Sequence, residues 1–220
     1  MADRLAQQLQ FLTEIDKLKS VLRGTTLCDG SRKENSGEHS WHIAMYAMIL
    51  AEHANRPVNI DRVIKMLLIH DIVEIDAGDN PIHGDHDVSA MEAIEQAAAD
   101  RIFGMLPDDQ EREFRALWEE FEAAESDDAV FAKSVDRVQP VNANLETGGG
   151  SWVEYKVSRQ QLEDRVRAGA AALQTEKKLH ATTTERGKQL SHQIDVLETE
   201  VQRLQAVIHD TDQSRDALQL

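Results

Sequence analysis

Two imidazoles and two carboxylates in this sequence have the types and placement of a metal-binding set: His39, the adjacent pair His70 and Asp71, and Asp136. His70 and Asp71 close an apolar stretch within MLLIHDIVEIDAGDN, residues 66–80. An unpaired charge buried there is costly or is forced to take up a proton. A metal ion removes that cost, and helical bundles build such sites from His and carboxylate side chains on facing helices. On a helix, Val63, Met66, Leu67 and His70 share one face, and Ile60, Ile64, Leu67 and Asp71 line the neighbouring one. Glu74 follows one turn after His70. Asp136 shares a stripe with Ala129, Ala132, Gln139 and Ala143, residues short or flexible enough to admit another helix. Taken singly, each histidine reads equally well as a hydrogen-bonded core residue.

Apolar residues recur at i, i+3 and i+4 through most of the chain, and there are only four Pro, a pattern that predicts an all-α protein. Helices are expected over 4–22 (Leu5, Leu9, Leu12, Ile15, Leu18, Leu22), 38–55, 59–74, 86–105, 108–124, 127–146 and 159–180. Ser126 followed by Asp127 and Asp128 reads as a helix start, SRQQ at 158–161 as a capping box, and the glycines at 148–150 as a helix end. Residues 24–37, GTTLCDGSRKENSG, carry enough turn formers to be read as a loop. It leads into His39. Beyond residue 180, Leu190, Ile194, Leu197, Val201, Leu204 and Ile208 alternate steps of four and three, which is a short heptad seam. We therefore expect a main domain over 1–175 and a C-terminal helical extension over 176–220, a long helix able to form a coiled coil and to pair two copies as a homodimer.

The net charge is −16, of which residues 176–220 carry only −2 from six basic and eight acidic residues. So acidic a main domain repels a nucleic acid polymer, whose binding depends on clustered Lys and Arg. A small phosphorylated substrate remains compatible, because a divalent ion and a local Arg or Lys invert the potential inside a pocket. The single Cys28 excludes an intrachain disulfide and fits a reducing cytoplasm. The longest apolar run, residues 43–51, is too short to span a bilayer, so no membrane partner is expected.

EHSWHIAMYAMIL (38–50), LLIHDIVEIDAGD (67–79) and SVDRVQP (134–140) follow the H…HD…D order of a known family. Over roughly residues 8–160 the chain resembles the HD-domain metal-dependent phosphohydrolases, and within them the small 5′-nucleotidase branch that includes 5′-deoxynucleotidases. The resemblance implies an HD-domain helical bundle in which His39, His70, Asp71 and Asp136 bind one divalent metal ion, whose identity (Mn²⁺, Co²⁺, Mg²⁺, Ni²⁺ or Zn²⁺) mixed ligation does not choose. It further implies that Glu74 assists the attacking water, that Asp79 stands near the sugar hydroxyl and the water, and that Arg23 contacts the substrate. The deoxynucleotide-specific members follow that Arg with a Trp packed near the nucleoside, whereas this chain has Gly24.

Phosphate monoester hydrolysis is slow because a nucleophile must approach a dianion while charge on the equatorial oxygens is neutralised. A divalent metal meets both needs, and Glu74 is placed to take or orient the water's proton. The function implied is hydrolysis of nucleoside 5′-monophosphates, deoxy or ribo. Gly24 keeps open an HD-domain phosphatase or phosphodiesterase acting on a non-nucleotide or cyclic substrate, and the seam keeps open an interaction scaffold. Other features have plain readings: Arg23 as a cap on the first helix, His42 as a surface residue or a support for the ligands, HGDHD (83–87) as a polar loop, and Trp41, Trp118 and Trp152 as core or interface packing.

Overall fold

The computed structural model describes residues 3–79, 88–158, 160 and 161. Asp3 caps α1 (Arg4–Ile15) by accepting from the Leu5 amide. The helix stops at Ile15 rather than at 22. Residues Asp16–Ser20 tighten into a 3₁₀ turn, where i and i+3 side chains eclipse and Lys19 pairs with Asp16. Phe11 and Leu18 are buried, but Leu5, Leu9, Leu12 and Leu22, expected to line a core face, are exposed.

The segment read as a loop contains a small antiparallel hairpin, β1 (Leu22–Thr26) and β2 (Lys33–Asn35), with Leu22 opposite Asn35 and Thr26 opposite Lys33. Its turn is closed by Leu27 N donating to Arg32 O and by Gly30 at φ +74°, a conformation that glycine adopts without strain. These three-to-five-residue strands are too short to leave a periodic signature.

Asn35 then opens α2 (Ser36–Leu50) with a full capping box: its side chain accepts from Glu38 N, and Glu38 accepts from Asn35 N. Asn59 caps α3 (Ile60–Ile69). The expected continuous helix to 74 tightens at His70–Val73 into a 3₁₀ turn before α4 (Glu74–Ala77) ends at Gly78, φ +74°. Then come α5 (Val88–Phe103), α6 (Asp108–Ala123) with Asp108, Asp109 and Glu111 at its positive end, α7 (Asp127–Glu146) capped by Ser126, and α8 (Gly150–Glu154). The capping-box bonds at 158–161 are present: Gln161 N donates to Ser158 Oγ, and Ser158 N to Gln161 Oε1. The rest of the helix expected at 159–180, the seam and the loop 83–87 lie outside the described residues.

The core has two parts. Ile43, Ala44 and Ala47 of α2, Val63, Met66 and Leu67 of α3, and Ala129, Ala132 and Val135 of α7 are buried together. Ile102 and Phe103 of α5 with Leu117, Trp118 and Phe121 of α6 extend that packing. Trp118 is the core tryptophan; Trp41 is 62 % exposed, its ring stacked on His42. Small residues along α7 let α2 and α3 approach closely enough for polar side chains of all three to meet.

Candidate metal centre

His39 stands in the first turns of α2, fully buried. Its Nδ1 lies 3.1 Å from Gln139 Oε1, which can only accept, so Nδ1 carries a proton. Its Nε2 faces Asp136 Oδ1 at 3.0 Å. His70 is held in the same sense: Nδ1 donates to Leu67 O at 2.9 Å, which turns Nε2 inward. The 3₁₀ turn that replaces the end of α3 positions both His70 and Asp71. Asp136 comes from the middle of α7, one turn before Pro140, whose ring nitrogen cannot donate to the Asp136 carbonyl. Donor atoms of His39, His70 and Asp136 all lie within 4.8 Å of one another.

Asp71 joins this trio from the side. Its Oδ1 is 2.8 Å from His70 Nε2, and its Oδ2 accepts from Arg23 Nη1 at 2.7 Å. The first contact is an ion pair whose geometry falls short of a hydrogen bond, so His70 Nε2 is buried beside a charge with no hydrogen bond of its own. Arg23 sits on β1, away from the end of α1, so the helix-cap reading does not hold. It also approaches Glu74 Oε1 at 3.6 Å and Glu34 Oε1 at 3.8 Å. Glu74 accepts from Ser36 Oγ at 2.5 Å, and Asp79 Oδ2 accepts from the Gly24 amide at 3.2 Å. All seven residues singled out in the sequence therefore converge on one region.

The electrostatics follow from this crowding. Burial works against the ionised form of Asp136, but the hydrogen bond and charge of His39, with His70 and Arg23, hold it below the usual carboxylate range. Asp71 is likewise kept ionised against burial by His70 and Arg23. Burial and the repulsion of Asp71 push the Glu74 carboxyl up, and burial does the same to Asp79. Burial disfavours charge on His39 too, yet its hydrogen bond with Asp136 and the nearby Glu34 carboxylate push it up to about 9. The pit thus gathers five carboxylates, of Glu34, Asp71, Glu74, Asp79 and Asp136, around one arginine and two imidazoles, and favours positive charge on the imidazoles.

Two imidazoles with Nδ1 tied back and Nε2 turned inward, beside ionised carboxylates, are a donor set suited to a divalent cation. The Nε2 of His70, buried without a hydrogen bond, is what such an ion would satisfy. Two contributors went unrecognised as site residues in the sequence. Gln139 was visible on the Asp136 stripe; Glu34 needed the hairpin to bring it in, and nothing local marks it. His42, read as a surface or supporting residue, takes the supporting role through its Nδ1, 3.3 Å from Gln139 Nε2.

A helical bundle that gathers H, HD and D from α2, the end of α3 and α7 is the arrangement of the HD domain. The profile of that family matches residues 15–177, and the chain belongs to the HD-domain family. It is 30 % identical over 154 residues to the 5′-deoxynucleotidase HDDC2 of Homo sapiens, spanning 70 % of this chain and 72 % of that one. It is 27 % identical to the 5′-deoxynucleotidase yfbR of Photorhabdus temperata, spanning 72 % and 83 %. A crystal structure described as a predicted metal-dependent phosphohydrolase of Magnetospirillum magnetotacticum is similar at 49 % identity and a TM-score of 0.78, covering 86 % of this chain and 93 % of that one. The resemblance read from the three sequence segments is borne out.

Proposed function

We propose that the chain is a divalent-metal-dependent phosphomonoesterase that hydrolyses nucleoside 5′-monophosphates to nucleoside and phosphate. The observation that carries this is the pair of inward-facing Nε2 atoms gathered with Asp136 within 4.8 Å, one of them buried without a hydrogen bond. His39, His70, Asp71 and Asp136 would hold the ion, which when bound supplies Lewis acidity toward a phosphoryl oxygen and acidifies water. Glu74, anchored by Ser36, orients the attacking water and takes its proton. Arg23 lies between Asp71 and Glu74, where its fixed charge neutralises a phosphate oxygen. Asp79, held against the Gly24 amide, stands beside the same strand and is assigned to the sugar end.

Mn²⁺, Co²⁺ and Mg²⁺ are the ions to test against a panel of nucleoside monophosphates, with wild type and Asp71→Ala. Phosphate release should require the ion and disappear in the variant; release that survives the substitution would discard this mechanism. A second reading is favoured by one observation at Gly24. A Cβ there would lie 3.2 Å from the Tyr155 ring, so a tyrosine borders the strand at the position where the resemblance to deoxynucleotide-specific members would place a tryptophan. A different ring in that place keeps cyclic nucleotides and non-nucleotide phosphate esters in the panel.

We also propose a location and an assembly for the protein. The protein works in the cytoplasm; none of the described helices is long and apolar enough to cross a membrane. It is a homodimer, with residues 1–175 as the catalytic domain and 176–220 as an extension. Trp41, Met45, Met48 and Ile49 form an exposed apolar stripe on α2 that fits a self-complementary contact.

A further inference from the structure

Glu34 is the most deeply buried carboxylate near the site that the mechanism leaves without a role. It is 2 % exposed on a three-residue strand, and Gln139 is buried to the same degree. Gln139 uses its whole amide here. Its Oε1 faces His39 Nδ1 at 3.1 Å, while its Nε2 donates to Glu34 Oε2 at 3.2 Å and to His42 Nδ1 at 3.3 Å. Turning the amide over would set its oxygen against the Glu34 carboxylate and its NH₂ against the Nδ1–H of His39. Glu34 therefore decides which way Gln139 faces.

We propose that Glu34 and Gln139 are positioning residues that fix His39 as the Nδ1–H tautomer, leaving its Nε2 lone pair for a cation shared with His70 and Asp136. The inference rests on the metal-site reading above. The geometry supports a second task for Glu34. Its Oε1 lies 3.6 Å from His39 Nδ1 and 3.8 Å from Arg23 Nε, and both Oε1 and Nε are buried without a hydrogen-bond partner. One carboxylate thus backs both the histidine that binds and the arginine that neutralises. The opposite His39 tautomer would gain one bond from Nε2–H to Asp136 Oδ1 at 3.0 Å, but would turn an Nδ1 lone pair toward two acceptors, Gln139 Oε1 and Glu34 Oε1.

Replacing Glu34 with its isosteric amide removes the discrimination, because an amide can donate to a reversed Gln139 and His39 can then protonate at Nε2. Glu34→Gln should weaken Mn²⁺ binding to chelator-stripped protein by about 10–100-fold, the range for supports of metal ligands, with the thermal midpoint of the stripped protein little changed. Gln139→Glu alone sets two carboxylates face to face and should weaken binding similarly. The exchange Glu34→Gln with Gln139→Glu restores a donor facing an acceptor and keeps an acceptor for His39, so binding should return to within about threefold of wild type. A role in space-filling alone predicts no such recovery.

The second readout needs no metal. Ring ¹⁵N shifts of His39 in alkaline buffer, where the imidazole is neutral, should report Nδ1–H in wild type and the exchanged pair, and a shift toward Nε2–H in Glu34→Gln. Wild-type Mn²⁺ affinity in Glu34→Gln, an exchanged pair weaker than either single variant, or an unchanged tautomer would each overturn the proposal. Wild type that binds no Mn²⁺ would instead remove the metal-site reading, and the ¹⁵N shifts would still decide the tautomer.

Discussion

Two parts of one core are buried by opposite means. Around α5 and α6, Ile102, Phe103, Leu117, Trp118 and Phe121 exclude water with apolar surface, and Trp118 Nε1 is the polar side-chain atom among them left without a partner. A few residues away, the pit between β1, β2, α2, α3 and α7 buries His39, Glu34, His70 and Asp71 and leaves three polar atoms, on Arg23, Glu34 and His70, without hydrogen bonds. The first region stabilises the fold through burial, at about 1.5–3 kcal/mol for each large apolar side chain. The second gives up part of that gain, since it takes charged groups out of water and leaves three of their polar atoms without hydrogen bonds. Stability and function are thus divided between the two, and α3, whose Met66 and Leu67 pack while its end delivers His70, joins them.

Substitutions on the two sides should separate these roles. The largest effect is expected on the apolar side: Phe103→Ala should cost about 3–5 kcal/mol in urea unfolding, with phosphatase activity per folded molecule unchanged. On the polar side, His70→Gln should change the unfolding free energy of metal-stripped protein by no more than about 1.5 kcal/mol, yet reduce activity by at least about 100-fold. A stability loss there equal to that of Phe103→Ala would erase the distinction. Arg23→Ala should raise the Michaelis constant by about tenfold, in proportion to a lost charged hydrogen bond, more than it lowers turnover; the opposite split would make Arg23 structural.

Smaller effects test the elements between the two regions. Asn35→Ala removes the cap that starts α2 just before His39, and should lower stability by about 1 kcal/mol with a modest loss of metal affinity, readable by calorimetry. Gly24→Ala adds a methyl 3.2 Å from the Tyr155 ring. It should have the smallest effect, confined to the Michaelis constant of nucleotides and absent for a small phosphate ester.

The same division explains what the sequence made legible. The apolar face of α3, the small-residue stripe of α7, the Ser126 cap and the 158–161 capping box follow from local spacing and side-chain chemistry, and each is present. His39, His70, Asp71 and Asp136 were legible because three motifs stand in family order. The hairpin was not, because five- and three-residue strands leave too few residues for a period, and with it Glu34 was missed. The leucines of α1 misled in the other direction: Leu5, Leu9 and Leu12 keep helical spacing but face solvent, since periodicity shows that a helix has an apolar face and not what covers it.

The proposed hydrolysis requires a cation between His39, His70, Asp71 and Asp136. Elemental analysis of protein purified without chelator tests this most directly, because it assumes nothing about substrate. One divalent ion per chain in wild type, and none in folded His70→Ala, is the result predicted. Wild type free of metal, or a variant that keeps a full complement, would contradict it.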